Sequence, residues 1–249
     1  MQIVVDQLLT TYQISGTGKT LVLLHGWGDS SQGSVALQAE LAEHYQVLAL
    51  DLPGFGGTQP PASAWGLSEY ANFVATVLKK LDLKPYAIIG HSNGGAIALR
   101  GLAEGSLKAT KLVLLASAGI RNQYNGRKRV LRVAAKTGKA LTKPLPGRLK
   151  RTLRSKVYKT IGSEMLVAEH MQETFKRVVT DDVQVDATGV TLPCLLVYGY
   201  DDTATPVEYG ELLQAALGHS ELHVIPKAGH FVYLDQPSIV TKLVEDFLR

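Results

Sequence analysis

Ile88-Ile89-Gly90-His91-Ser92-Asn93-Gly94-Gly95 sets a serine in a Gly-x-Ser-x-Gly core, after apolar residues of strand character and before a helix-like run. A serine between a strand and a helix sits on a turn so tight that glycines must flank it, and its hydroxyl is pushed out at the carboxyl end of the sheet. Such a hydroxyl attacks an acyl carbon if a base takes its proton, an acid orients that base, and donors receive the oxyanion. The acid candidates are Asp201 and Asp202, in the turn from Gly199 to Pro206 that follows the apolar run 195–198. The base candidate is His230, in Pro226-Lys227-Ala228-Gly229-His230-Phe231 after the run 222–225. His25 and His91 neighbour the same region, and structural hydrogen bonding rather than proton transfer is the expected use of both. His44, His170, His219 and His223 show no His-Glu-x-x-His pattern, so no metal site is expected. Gly16-Thr17-Gly18-Lys19-Thr20 lacks phosphate-loop spacing and precedes a strand, so it reads as a hairpin turn.

Holding these residues together takes a sheet. Apolar runs alternate with helical patterns along the chain, which points to a mainly parallel sheet covered on both faces. Strands are expected over 21–24, 47–50, 86–89, 111–115, 195–198 and 222–225, with an antiparallel hairpin over 3–14 in front. Helices are expected over 35–44, 67–81, 94–103, 207–217 and 239–248, with Ser68 as the N-cap of the second. The fold class is therefore α/β, an eight-stranded, mainly parallel, doubly wound sheet. About seventy residues interrupt it after the sixth strand, mostly helical in pattern, with breaks at Gly138, Pro144, Pro146 and Gly147. An insertion at the carboxyl edge of a parallel sheet lies over the ligand end of the strands. It reads as a helical cap over 119–189, the core domain being 1–118 and 190–249.

A chain of 249 residues with 19% charged and 45% hydrophobic residues suits a soluble globular enzyme with one large core. The single cysteine, Cys194, excludes an internal disulfide and sits in an apolar run as a small core residue. The N-terminus shows no basic stretch followed by an apolar one, and no apolar run nears the ~20 residues that span a bilayer. A cytoplasmic location is expected. The net charge of +4 conceals a segregation: between Gly105 and Ser163 stand 16 Lys and Arg and no Asp or Glu, against 10 basic and 22 acidic residues elsewhere. A solvated basic face is the first reading of that stretch. Attraction of an anionic substrate comes next, and contact with an anionic membrane surface is less favoured. Nucleic acid has no support from aromatic interleaving or a binding module.

Taken together, the serine turn, the strand-end aspartates, the late histidine and the segment Leu50-Asp51-Leu52-Pro53-Gly54-Phe55-Gly56 resemble the α/β-hydrolase superfamily in its cap-bearing form, over roughly the whole length from Leu21 to Leu248. The resemblance implies the order Ser, Asp, His, with Ser92 as nucleophile and His230 as base. Its strand-end pattern is a glycine, two residues, the aspartate, three residues and a proline, which selects Asp202 over Asp201. It implies an oxyanion hole made of two backbone N–H groups, those of Trp27 (in His25-Gly26-Trp27-Gly28) and Asn93. It also brings His25, Gly26, Phe55 and Phe231 to the substrate. No cofactor is implied. The reaction expected is hydrolysis of a small or medium acyl substrate, most simply a carboxylic ester, through an acyl-enzyme. Rival readings are carbon–carbon bond hydrolysis of dienoate-type substrates, lyase or haloperoxidase-like chemistry, and a small-ligand receptor with slow turnover. An epoxide hydrolase or haloalkane dehalogenase would need a carboxylate where this chain has Ser92. Substrate identity and oligomeric state stay open.

Overall fold

The computed structural model describes residues 1–121 and 171–249. Gln2–Val5 (β1) and Leu8–Ser15 (β2) form the antiparallel hairpin read from the sequence. Its two-residue turn places Asp6 and Gln7 at φ 46° and 67°, the left-handed geometry of a tight hairpin. Thr20–Leu24 (β3), Gln46–Leu50 (β4), Pro85–His91 (β5), Lys111–Leu115 (β6), Cys194–Gly199 (β7) and Ser220–Ile225 (β8) complete one sheet of order β1-β2-β4-β3-β5-β6-β7-β8. From β4 onward every pairing is parallel, while β2 lies antiparallel on β4. One expectation is corrected here. The turn Gly16 to Thr20 does not close a hairpin, because β4 lies between β2 and β3 in the sheet.

Strand residues alternate between two cores, as a sheet buried on both faces requires. Val22, Leu24, Ile88, Leu112, Leu114 and Leu196 pack under Leu67–Lys80 (α2), Asn93–Glu104 (α3) and Val207–Ala216 (α6). Their strand neighbours Leu21, Leu23, Ile89, Val113, Leu115 and Val197 face Val35–Leu41 (α1) and Pro237–Leu248 (α8). Helix α2 starts at Leu67 as expected, but its N-cap is Gly66 rather than Ser68. The Glu69 carboxylate reaches back to accept the Gly66 N–H at 2.8 Å, so the cap lies two residues earlier. Ser68 then lies within the helix and donates to Glu104 of α3 at 2.7 Å.

Between β6 and β7 the described residues include Gln172–Thr180 (α4) and Gln184–Thr188 (α5), and α5 packs between α3 and α6. Most of the expected cap, and the basic runs 127–139 and 148–159, lie outside the described residues. Among the described residues no helix is long and apolar enough to cross a membrane.

Candidate active site

Ser92 is the single residue between β5 and α3. Its backbone is held at φ 51°, ψ −117°, a strained conformation for a side chain with a Cβ, costing on the order of 1–3 kcal/mol. The surroundings enforce it. The Ser92 N–H donates to the Leu115 carbonyl at 3.0 Å, and the Ser92 carbonyl accepts from Gly95, Ala96 and Ala118. Close approach explains the glycines: a Cβ on Gly90 would stand 2.5 Å from Gly95 Cα, and one on Gly94 would meet the Leu24 carbonyl. Because α3 starts immediately after the serine, its unspent N–H groups and the positive end of its dipole face the same point.

The strand-end turn after β7 separates the two aspartates. Asp201 is exposed, whereas Asp202 is buried. Asp202 Oδ2 accepts from His230 Nδ1 at 2.8 Å, and Oδ1 accepts from the N–H groups of Ala204 and Thr205 at 2.7 and 3.0 Å. Burial alone would raise the Asp202 pKa, but the bonds from His230 and Thr205 outweigh it and hold the carboxyl below its ordinary value. With Nδ1–H given to Asp202, the His230 tautomer leaves Nε2 with a lone pair.

Thr205 is the residue that the sequence reading missed. Its Oγ1 lies 2.7 Å from Asp202 Oδ2, 3.1 Å from His230 Nδ1 and 2.9 Å from the Ala116 carbonyl. The signal was present in the Asp-x-x-Thr spacing, which suits a loop whose side chains fold back on their own backbone.

Ser92, Asn93, His230, Thr205 and Trp27 line one pocket of about 180 Å³, walled by Ala96, Ile120, Phe175 and Val178. Phe175, Val178 and Asp181 come from α4 and the loop after it, so the end of the insertion does reach this site.

Four residues expected at the substrate, His25, Gly26, Phe55 and Phe231, are not among the described residues that line this pocket. His25 spends both ring nitrogens on backbone: Nε2 accepts the Leu52 N–H at 2.9 Å, and Nδ1 pairs with the Gly26 carbonyl at 2.7 Å. Gly26 lies against His91 and Ser92, where a Cβ would stand 3.0 Å from His91 Nδ1. Phe55 is buried edge-on against Trp27 and His25. Phe231 packs on the rings of His91 and His230 and is half exposed. His91 is buried and pairs through Nε2 with the His230 carbonyl at 3.0 Å, so it fixes the loop that carries His230. Burial, with His230 adding to it, pushes the His91 pKa down to about 3, and the ring stays neutral.

A model of the alpha/beta hydrolase family matches residues 21–242. The chain belongs to that family. This hydrolase is 27% identical over 261 residues to the pimeloyl-[acyl-carrier protein] methyl ester esterase of Serratia marcescens, covering 95% of this chain and 97% of that protein. It is 26% identical over 260 residues to the 2-hydroxy-6-oxononadienedioate/2-hydroxy-6-oxononatrienedioate hydrolase of Cupriavidus pinatubonensis, covering 94% and 88%. Its fold superposes on that of an esterase from Exiguobacterium antarcticum with a TM-score of 0.79 at 21% identity, covering 99% and 98% of the two chains.

Proposed function

We propose that this hydrolase cleaves a small or medium acyl substrate, a carboxylic ester, through an acyl-enzyme on Ser92. The observation that carries the proposal is the buried Asp202–His230 hydrogen bond of 2.8 Å beside a serine held on a strained elbow, with Ser92 and His230 on one pocket wall. His230 Nε2 takes the Ser92 proton as Oγ bonds to the acyl carbon, and Asp202 holds the imidazolium that forms. The carbonyl electrons move to an oxyanion, which the Trp27 and Asn93 N–H groups receive with the help of the α3 dipole. Collapse expels the alcohol, which leaves with the proton from His230. Water, deprotonated by the same imidazole, then attacks the acyl-enzyme and releases the acid. The cap role proposed for the insertion 119–189 rests on its described end, where Phe175, Val178 and Asp181 wall this pocket.

A second reading, carbon–carbon bond hydrolysis, is favoured by the similarity to the oxononadienedioate hydrolase. Turnover of p-nitrophenyl esters of increasing length, measured beside a dienoate panel, separates the two. Labelling by an organophosphonate should add one adduct, on the peptide bearing Ser92, and Ser92→Ala should lower kcat by on the order of 10⁴ to 10⁶. An adduct elsewhere, or an active Ser92→Ala enzyme, would overturn both readings.

A further inference from the structure

Two side chains next to the nucleophile carry polar atoms that the protein leaves unanswered. Trp27 Nε1 and both amide atoms of Asn93 are buried without a hydrogen-bond partner among the described residues. Trp27 is 7% exposed and Asn93 3%, and both line the pocket that holds Ser92 and His230. Three of the five such orphan atoms among the described residues therefore belong to two residues that line this one cavity. Each unsatisfied buried group costs about 1–3 kcal/mol, a penalty that apolar residues of similar shape would remove.

Their placement is rigid. The Trp27 indole is held between Phe55, at 4.8 Å between ring centroids, and Phe175, at 5.1 Å. Asn93 is the first residue of α3, and the Ser92 elbow sets its backbone. Much of the surrounding described wall is apolar, and its one carboxylate, Asp181, is paired with Arg100 at 2.9 Å. A saturated alkyl chain would fill this pocket and leave all three orphan atoms dry.

Resting on the reading of Ser92 as nucleophile, we propose that the pocket selects substrates with a second oxygen function, a hydroxyl or keto group, near the scissile acyl carbon. A keto oxygen accepts from Trp27 Nε1–H and the Asn93 amide N–H. A hydroxyl accepts from one of these donors and donates to the Asn93 amide oxygen. Discrimination then comes from the unoxygenated analogue, which strands buried polar groups.

The test uses p-nitrophenyl esters of one chain length, either unsubstituted or bearing a hydroxyl or keto oxygen at successive positions. In the unmodified protein the best oxygenated ester should exceed the alkanoyl ester in kcat/KM by about 10²-fold or more. Asn93→Leu and Trp27→Phe should each shrink that ratio about tenfold or more, the worth of roughly one hydrogen bond. Each variant is its own reference, so a general loss of rate cancels. Phosphonate labelling of Ser92 reads the nucleophile separately. No labelling sinks the hydrolase reading itself. Labelling with a ratio near one, or with a ratio that neither substitution changes, overturns the polar subsite and leaves a pocket filled by water.

Discussion

At the scale of single residues, two oxygens decide what His230 can do. Asp202 is buried and bonded to Nδ1, while Asp201 is exposed and donates its N–H to the Ala228 carbonyl. Asp202→Asn should therefore cost about 10⁴ in kcat by leaving the imidazole in the wrong tautomer. Asp201→Asn should cost far less, and steady-state kinetics on the preferred ester compares them directly. Thr205 acts through Asp202 and is a positioning residue. Its hydroxyl helps to hold the carboxylate ionised. Thr205→Val removes that bond, and kcat should fall about tenfold for one lost hydrogen bond. Thr205→Ser should restore it. An unchanged kcat in Thr205→Val would mean that Thr205 only packs the loop.

At the scale of elements, Arg100 ties the nucleophile helix to the chain returning from the insertion. From α3 its guanidinium reaches Asp181 at 2.9 Å and Asp186 at 2.8 Å. Burial opposes its charge, but those bonds outweigh burial and raise its pKa. Asp181 also lines the pocket, so a stability contact and a pocket wall share one side chain. Arg100→Met would strand two carboxylates whose side chains are 28% and 21% exposed. Partial solvation limits the cost to on the order of 1–2 kcal/mol. Thermal unfolding should show the midpoint lowered by about 2–8 °C for a domain of this size, with Ser92 still labelled by phosphonate.

At the scale of the whole molecule, the buried histidines set an acid limit. His91 titrates near 6.5 when unfolded but only at about 3 when folded, and burial lowers His25 in the same direction. Below pH 6.5 the unfolded chain therefore takes up protons that the native state refuses. Stability is complete above that pH and is lost as pH falls toward 3, by up to about 1.4 kcal/mol per pH unit for each histidine. Urea unfolding between pH 7 and pH 4.5 should show this slope, and His91→Asn should reduce it. A flat profile over that range would mean that neither ring is held neutral by the fold.

Continuous apolar runs separated by helical patterns were enough to set out the doubly covered sheet, since a strand buried on both faces is apolar throughout. Local spacing placed Ser92, the pair Asp201 and Asp202, and His230 in turns after strands, because glycines or proline there restrict the backbone. The start of α2 at Leu67 was legible but its cap was not: Ser68 looked like a cap, and a Glu69 side chain folding back on Gly66 takes that place. The partners of His25 and His91 were decided only in three dimensions. They lie 27 and 139 residues away in sequence, and no local pattern encodes such a partner. The pocket's unanswered polar atoms are of the same kind. The resemblance picked out Trp27 and Asn93 for their backbone N–H groups alone, and only the parallel pairing of β3 with β5 brings their side chains to one cavity, where burial makes their unpaired atoms count.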